Sequence, residues 1–320
     1  MSVPKYIERI ELMAVVFLAL ALRLYRIGYR EFWFDELGQI VVAKADWWHA
    51  ILGAAKHAGA APLDYLITHL MLAVGQDEAI LRLPAALWGV ASVILIYLLA
   101  RQCAGRPAAL AAALILATAP QHVRYSQELR FYSLATMMAL LCVLIFWWAH
   151  AQGAWSRWVV WSGALAVGLY AHYALAFVGL ACGLWTIIYQ RGVVWRAIIA
   201  GSVAAILFAP WVIYDNFIYD KTALGLSLSR LPTMKQLFYA PLGAGQPVNW
   251  LLWILFGLAV VTNRRQRPMV ALFAIVGALL FAGAVALDVV GGYPFYQRQA
   301  LIAMPFLLLA GVCGLWRLLS

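Results

Sequence analysis

Two adjacent carboxylates, Asp35 and Glu36, lie in the stretch FWFDELGQI at residues 32–40, shortly after the first apolar segment. A carboxylate can accept the proton of a hydroxyl group and so make that hydroxyl a better nucleophile. Asp35 is surrounded in sequence by aromatic and apolar residues that would limit its hydration, which favours a functional role over a purely structural one. Glu36 is the candidate for orienting either Asp35 or the substrate. The alternative interpretation is that the two acids only cap the segment that follows them.

Several arginines at the ends of apolar runs are candidates for binding an anion, because a planar guanidinium matches a phosphate in a bidentate way that lysine does not. Together with neighbouring polar groups, the predicted substrate- or phosphate-binding residues are Arg82, Arg124, Glu128, Arg130, His172, Lys221 and Arg298. Structural alternatives stay open for each kind of residue. The arginines could snorkel to the membrane interface, Glu128 could pair with Arg130, and His172 could be a hydrogen-bonded residue at a helix end.

The composition predicts a polytopic, all-α membrane protein, with residues 1–320 forming a single integral membrane domain. Of the residues, 66% are hydrophobic and 11% are charged, and the mean hydropathy is +0.86. A soluble domain would carry about twice this charged fraction. The net charge of +10 comes from basic residues scattered between apolar runs, which indicates juxtamembrane positions and no nucleic-acid partner. The four cysteines have no close pairing and are interpreted as packing residues.

Ten transmembrane helices are predicted, since about 20 apolar residues are needed for each span. The predicted spans are residues 10–27, 82–100, 107–121, 132–149, 157–173, 174–190, 196–214, 247–262, 269–287 and 299–316. The fourteen residues 62–75, PLDYLITHLMLAVG, are interpreted as an interfacial helix because this choice places the arginines between spans on the cytoplasmic side. Eleven of the thirteen Asp and Glu residues then belong to the outer side.

Two long outer segments could therefore build a site. Residues 28–81 form the first outer loop, with interfacial helices, and residues 215–246 form the second. No metal site is predicted: His49 and His57 could share a helix face but lack a third ligand nearby. A divalent ion, Mg²⁺ or Mn²⁺, is left open as a cofactor.

Short motifs follow one another along almost the whole chain: DE at 35–36, PLDY at 62–65, RLP at 82–84, SQELRFYSL at 126–134, YAHY at 170–173, APW at 209–211 and YQRQALIAMP at 296–305. In order and spacing this set resembles the GT-C glycosyltransferases, and within them the dolichyl-phosphate-mannose protein mannosyltransferase type, glycosyltransferase family 39. One departure is that the family's usual His-Pro-Pro-Leu-Tyr-Tyr reads AAPLDY at 60–65 here.

The resemblance implies transfer of a sugar from a polyprenyl-monophosphate donor to an acceptor, with inversion at the anomeric carbon. It makes Asp35, the first acid of the DE pair, the candidate general base. It implies a GT-C fold and a reaction at the outer membrane face, with the bacterial inner (plasma) membrane as the expected location and the site on the extracytoplasmic side. The acceptor could be a glycan, a lipid or a protein. Two other functions remain open, namely a transporter or flippase of a polyprenyl-linked substrate and a non-catalytic scaffold derived from the GT-C fold.

The topology can be tested by labelling single cysteines with a membrane-impermeant reagent. Positions 35 and 128 should react in intact cells, whereas positions 103 and 264 should react only after lysis, because the arginine distribution places them on opposite sides. Labelling of position 128 only after lysis would contradict the interfacial assignment of residues 62–75.

Overall fold

The computed structural model describes residues 4–45, 51–53, 61–152, 154–215, 253–254, 256–257, 268–291 and 297–319. The helices of the first half are α1 (Lys5–Leu24), α2 (Phe34–Ala43), α3 (Leu63–Leu72), α4 (Glu78–Ala104), α5 (Arg106–Thr118) and α6 (Pro120–Tyr125). Those of the second half are α7 (Tyr132–Gln152), α8 (Trp155–Ala171), α9 (Leu175–Tyr189), α10 (Val194–Asp215), α11 (Pro268–Gly291) and α12 (Met304–Leu319). Short 3₁₀ turns, Arg191–Val193 and Gln297–Ala300, precede α10 and α12.

The predicted all-α membrane class is confirmed over these residues, which contain no strand. Four helices are long and apolar enough to cross a membrane: Glu78–Ala104, Tyr132–Ala151, Arg191–Tyr214 and Pro268–Ala286. Nine of the ten predicted spans coincide over most of their length with α1, α4, α5 and α7–α12. The tenth, residues 247–262, lies almost entirely outside the described residues, so the count of ten spans stays a prediction.

The centre of the bundle is built on α4 and α5, which pack against each other and against α1, α7 and α12. Gly105 ends α4 with φ +84°, a left-handed conformation that glycine adopts without a steric penalty, and the chain turns directly into α5. The buried face of α5 consists of small side chains, mainly Ala108, Ala109, Ala112 and Ala113. Small residues let helix backbones approach closely, which favours helix association in a membrane.

One end of this bundle carries a cluster of ion pairs. Arg101, in the last turn of α4, binds Glu8 on α1 with an Nε–Oε1 distance of 2.5 Å. Arg106, the first residue of α5, binds Glu11 on α1. Arg317, near the end of α12, donates to a main-chain carbonyl close to the end of α4 at 2.9 Å. These are residues that the charge distribution assigns to the cytoplasmic side, and the fold gathers them at one end.

The opposite end of α4 begins about 28 Å away, because Arg82 and Arg101 are separated by nineteen residues at a rise of about 1.5 Å each. This separation is close to the roughly 30 Å thickness of the bilayer hydrocarbon core. Asp77 starts α4 by accepting the Ile80 N–H with Oδ1 at 3.0 Å. The residues around Arg82 therefore belong to the face opposite the Arg101 cluster.

The helices α2 and α3 lie at this second end and pack against each other. Each has ten residues, about 15 Å, which is too short to cross the bilayer. On α2, Phe34, Leu37 and Val41 are exposed, whereas Glu36, Gln39, Ile40 and Ala43 are buried. An amphipathic helix of this kind suits the membrane interface. The interfacial position of residues 62–75 nevertheless stays a prediction.

Candidate active site

The first turn of α2 is held by the buried carboxylate of Glu36, which accepts four hydrogen bonds. Its Oε2 accepts the Trp33 N–H at 3.2 Å and Arg82 Nη2 at 2.7 Å. Its Oε1 accepts Arg82 Nε at 2.9 Å and the Leu129 N–H at 2.7 Å. Buried charges are tolerated only when they are paired and fully hydrogen-bonded, and Glu36 meets both conditions. The sequence interpretation of Glu36 as an orienting residue fits this geometry. The part of the chain that Glu36 orients is the start of α2.

The Arg82 guanidinium uses its remaining donors on the segment that leads from α1 into α2. Its Nη1 donates to the carbonyls of Ile27 at 2.9 Å and Arg30 at 2.7 Å, and its Nη2 donates to that of Glu31 at 3.2 Å. All five N–H groups of Arg82 are thus bound to this chain. The predicted phosphate contact of Arg82 is not supported by this geometry, because a phosphate would have to displace one of these partners.

Asp35, the neighbour of Glu36, has a different environment. Its Oδ2 accepts a hydrogen bond from Arg298 Nη1 at 3.2 Å, and each side chain is 24% exposed. Arg298 belongs to the 3₁₀ turn before α12, and its guanidinium lies 5.7 Å from the centre of the Trp33 ring and 6.0 Å from that of Tyr132. The fold therefore brings together two predicted site residues that are 263 positions apart, and both are partly exposed.

Glu128 lies beside this pair, in the connection between α6 and α7. Its Oε1 accepts Arg124 Nε at 3.3 Å, while its Oε2 is buried without a hydrogen-bond partner among the described residues. Burial raises the pKa of Glu128 above its ordinary value, Arg124 lowers it, and the nearby charge of Glu36 raises it further, with Arg298 acting in the opposite direction. The sequence alternative of a Glu128–Arg130 pair is replaced here by pairing with Arg124.

Arg130 turns towards α2 instead. Its Nη1 lies 3.4 Å from the main-chain oxygen of Asp35 and 3.5 Å from Gln39 Oε1, and its guanidinium stacks over Phe131 at 5.2 Å. The Phe131 ring in turn stacks on His172 with 4.6 Å between the centroids. His172 Nδ1 accepts the Ala174 N–H at 3.1 Å, as expected for a histidine at a helix end.

Some predictions fall outside the described residues, namely Lys221, His49, His57 and most of the second outer loop. Where the structure does describe the chain, no group of three or more His, Cys, Asp or Glu side chains is arranged to hold a metal ion. The open question of a divalent cofactor is not tested by this.

Other residues that support the site were not singled out in the sequence. Gln127 Nε2 donates to the carbonyls of Leu22, Arg23 and Tyr25 at 3.1, 3.2 and 2.9 Å, which fastens the loop at 126–131 to the end of α1. The side chain of Arg23 is fully buried, and its Nη2 lies 2.7 Å from His122 Nδ1. An arginine within the first apolar run was the available signal, because a charge is costly there unless it is used.

Comparison with known proteins supports the fold. Residues 57–214 match the family model described as dolichyl-phosphate-mannose-protein mannosyltransferase. ArnT from Cupriavidus metallidurans, in a crystal structure bound to undecaprenyl phosphate, superposes with a TM-score of 0.68 at 17% identity over 94% of this chain and 59% of that one. The archaeal oligosaccharyltransferase AglB from Archaeoglobus fulgidus, in complex with an inhibitory peptide and a dolichol-phosphate, gives 0.65 at 12% identity over 97% and 50%. No curated protein matches the chain by sequence.

The helical architecture and its superposition on ArnT and AglB define a polytopic membrane protein of the GT-C fold. Over residues 57–214, just under half of its length, the chain is similar to the dolichyl-phosphate-mannose-protein mannosyltransferase family. It spans about half to three fifths of the length of the structures that it matches.

The buried ion pair leads to a stability prediction. Arg82→Met leaves Glu36 buried and unpaired, so the free energy of unfolding should fall by about 3–5 kcal/mol. The double variant Glu36→Gln/Arg82→Met removes both charges and should recover part of that loss. Thermal unfolding of the purified protein in detergent measures both effects.

The matched control is Arg124→Met, because the Arg124 side chain is 67% exposed and its ion pair should contribute only about 0–1 kcal/mol. A melting temperature for Arg82→Met equal to that of the wild type would show that the pair does not hold this region.

Proposed function

We propose that the chain is an integral membrane glycosyltransferase that moves a sugar from a polyprenyl-monophosphate donor to an acceptor hydroxyl at the outer membrane face. The observation that carries the proposal is the half-exposed Asp35–Arg298 pair, 3.2 Å apart at the edge of α2. It offers a carboxylate for a hydroxyl group and a guanidinium for a phosphate in one place. The undecaprenyl phosphate in ArnT and the dolichol-phosphate in AglB support a lipid phosphate as the ligand class.

In this reaction Asp35 accepts the proton of the acceptor hydroxyl, whose oxygen attacks the anomeric carbon of the sugar. The bond between that carbon and the phosphate oxygen breaks, and the polyprenyl phosphate leaves with the electron pair. Attack from the face opposite the leaving phosphate inverts the configuration. Arg298 compensates the charge that develops on the phosphate, in the way that preorganised cations stabilise such transition states.

The contrast between the two neighbouring acids decides the division of roles. Glu36 is fully buried and already accepts four hydrogen bonds, so it has no capacity for an acceptor proton. Asp35 is partly exposed and bound to a cation that also suits the donor. Asp35 and Arg298 therefore react with the substrates, whereas Glu36 and Arg82 hold the segment that presents Asp35.

The remaining predicted contacts surround this pair. Glu128 and the exposed Arg124 border it on the α6–α7 side and would contact sugar hydroxyls or the phosphate. Arg130 and His172 lie on the α3 side, joined through Phe131. Lys221 would add a cation from the second outer loop. The sugar and the acceptor are set by surfaces beyond these residues.

The distribution of charge supports the proposed extracytoplasmic location. The Arg101, Arg106 and Arg317 end of the bundle carries the cationic excess expected on the cytoplasmic side, and the Asp35 site lies at the other end. The bacterial inner membrane would then expose the site to the periplasm. A transporter would place acids near mid-bilayer, whereas the acidic side chains that the structure describes lie at the two ends of the bundle.

Asp35→Asn should abolish sugar transfer while the protein still folds and inserts, because the amide keeps the shape of the carboxyl group but cannot accept the proton. The measurement is transfer of radiolabelled sugar by the purified protein. Asp77→Asn is the matched control, since asparagine also caps a helix well and Asp77 lies at the exposed start of α4. Turnover by Asp35→Asn at the wild-type rate would remove Asp35 as the base.

The donor is tested through Arg298. Arg298→Ala should weaken use of a polyprenyl-phosphate sugar by about ten- to a hundredfold, corresponding to about 1.5–3 kcal/mol for a charge-assisted contact. Arg298→Lys should retain only part of the wild-type donor use, because lysine lacks the planar guanidinium that binds a phosphate through two N–H groups. Arg157→Ala, on the opposite side in the predicted topology, is the control.

The same assay supplied with a nucleotide sugar completes the experiment. We expect no sugar transfer from the nucleotide sugar. Efficient transfer from a nucleotide sugar without a lipid-linked intermediate would contradict the proposed donor.

A further inference from the structure

We propose that Asp64 is a positioning residue for the catalytic edge of α2, because its hydrogen bond to Gln39 and its negative charge together hold Arg130 against the main-chain carbonyl of Asp35. This inference rests on the proposed function and adds a residue that takes no direct part in the chemistry. Asp64 lies in the segment AAPLDY at residues 60–65.

The first link joins α3 to α2. Gln39 Nε2 donates to Asp64 Oδ2 at 2.6 Å and to Thr68 Oγ1 at 2.9 Å. The Thr68 hydroxyl donates its hydrogen bond to the main-chain oxygen of Asp64 at 2.9 Å. It can therefore only accept a hydrogen bond from Gln39. Both amide hydrogens of Gln39 are thereby directed at α3. All three side chains are buried, with exposures of 1% for Gln39, 7% for Asp64 and 1% for Thr68.

The second link joins α2 to the α6–α7 connection. Because the Gln39 N–H groups face α3, its Oε1 is left to accept from Arg130 Nη1, at 3.5 Å. The same Nη1 lies 3.4 Å from the main-chain oxygen of Asp35. Arg130 is thus placed by a side chain that Asp64 orients, and it contacts the backbone of the proposed base. A shift of the guanidinium would move Asp35 relative to Arg298.

Among the residues that the structure describes, few charged or titratable groups surround Asp64. Gln39 on α2 is neutral, and Tyr65 follows Asp64 on α3. His172 is the residue at the end of α8, and Arg82 on α4 is already paired with Glu36. Arg130 is the cation that acts on Asp64. Burial raises the pKa of Asp64 to about 6, and the hydrogen bond from Gln39 and the charge of Arg130 lower it.

The raised pKa separates a positioning role from a structural one. The folded protein binds this proton more tightly than the unfolded chain does, so the stabilisation it provides is present at low pH and is lost as pH rises through about 6. Asp64→Asn removes the costly buried charge and keeps an acceptor for Gln39. It should therefore leave the melting temperature at pH 7.5 unchanged or higher, but it removes the negative charge that attracts Arg130 and so loosens that guanidinium.

The test compares wild type, Asp64→Asn and Asp77→Asn as purified full-length protein, with a polyprenyl-phosphate sugar as donor, between pH 5 and pH 8. The wild-type rate should fall as pH drops through about 6, where Asp64 becomes protonated. Asp64→Asn should be slower by about ten- to a hundredfold at pH 7.5, the scale of small misplacements near a reacting centre. Its rate should also lack the fall near pH 6. Asp77→Asn should behave as wild type.

Three results would overturn the inference. A wild-type rate in Asp64→Asn would show that the carboxylate is not needed. An unchanged fall near pH 6 in Asp64→Asn would assign that titration to another group. A parallel loss of rate and melting temperature would make Asp64 a structural residue. If the wild-type protein transferred sugar from none of the polyprenyl-phosphate sugars, the proposed function would be overturned, and the inference with it.

Discussion

The ion pair between Glu36 and Arg82 is the interaction on which the site depends. It ties together four parts of the chain: the carbonyls of residues 27–31, the first turn of α2, the start of α4 and the Leu129 N–H of the α6–α7 connection. A small apolar cluster of Ile40, Leu81 and Leu129 packs beside the pair and joins three of these parts. A buried carboxylate without its guanidinium is strongly unfavourable, so the pair permits only the arrangement in which all its hydrogen bonds form.

The two adjacent acids, Asp35 and Glu36, thereby have different roles. Helical geometry turns successive side chains by about 100°, since a helix has 3.6 residues per turn, so that Glu36 faces the protein while Asp35 faces Arg298. The buried pair gives rigidity and the half-exposed pair gives access. The proposed transfer reaction needs both, because a mobile base would lose the alignment that accelerates the reaction.

Much of this could be predicted from the sequence. The apolar runs located the helices, and the DE and SQELRF motifs identified the residues that meet at α2. The role of Arg82 could not be predicted, because an arginine at the start of a span looks the same whether its donors reach a phosphate or backbone carbonyls 51 to 55 residues away. The Gln39–Asp64 contact bridges 25 residues and depends on the packing of two short helices, which periodicity alone does not define.

The most direct test of this account is a structure of the full-length protein determined with bound undecaprenyl phosphate. The account predicts the phosphate within about 3 Å of the Arg298 guanidinium, with the Asp35 carboxylate beside it and the Glu36–Arg82 pair intact. A phosphate held by Arg82 after separation from Glu36, or one bound away from Arg298, would contradict it.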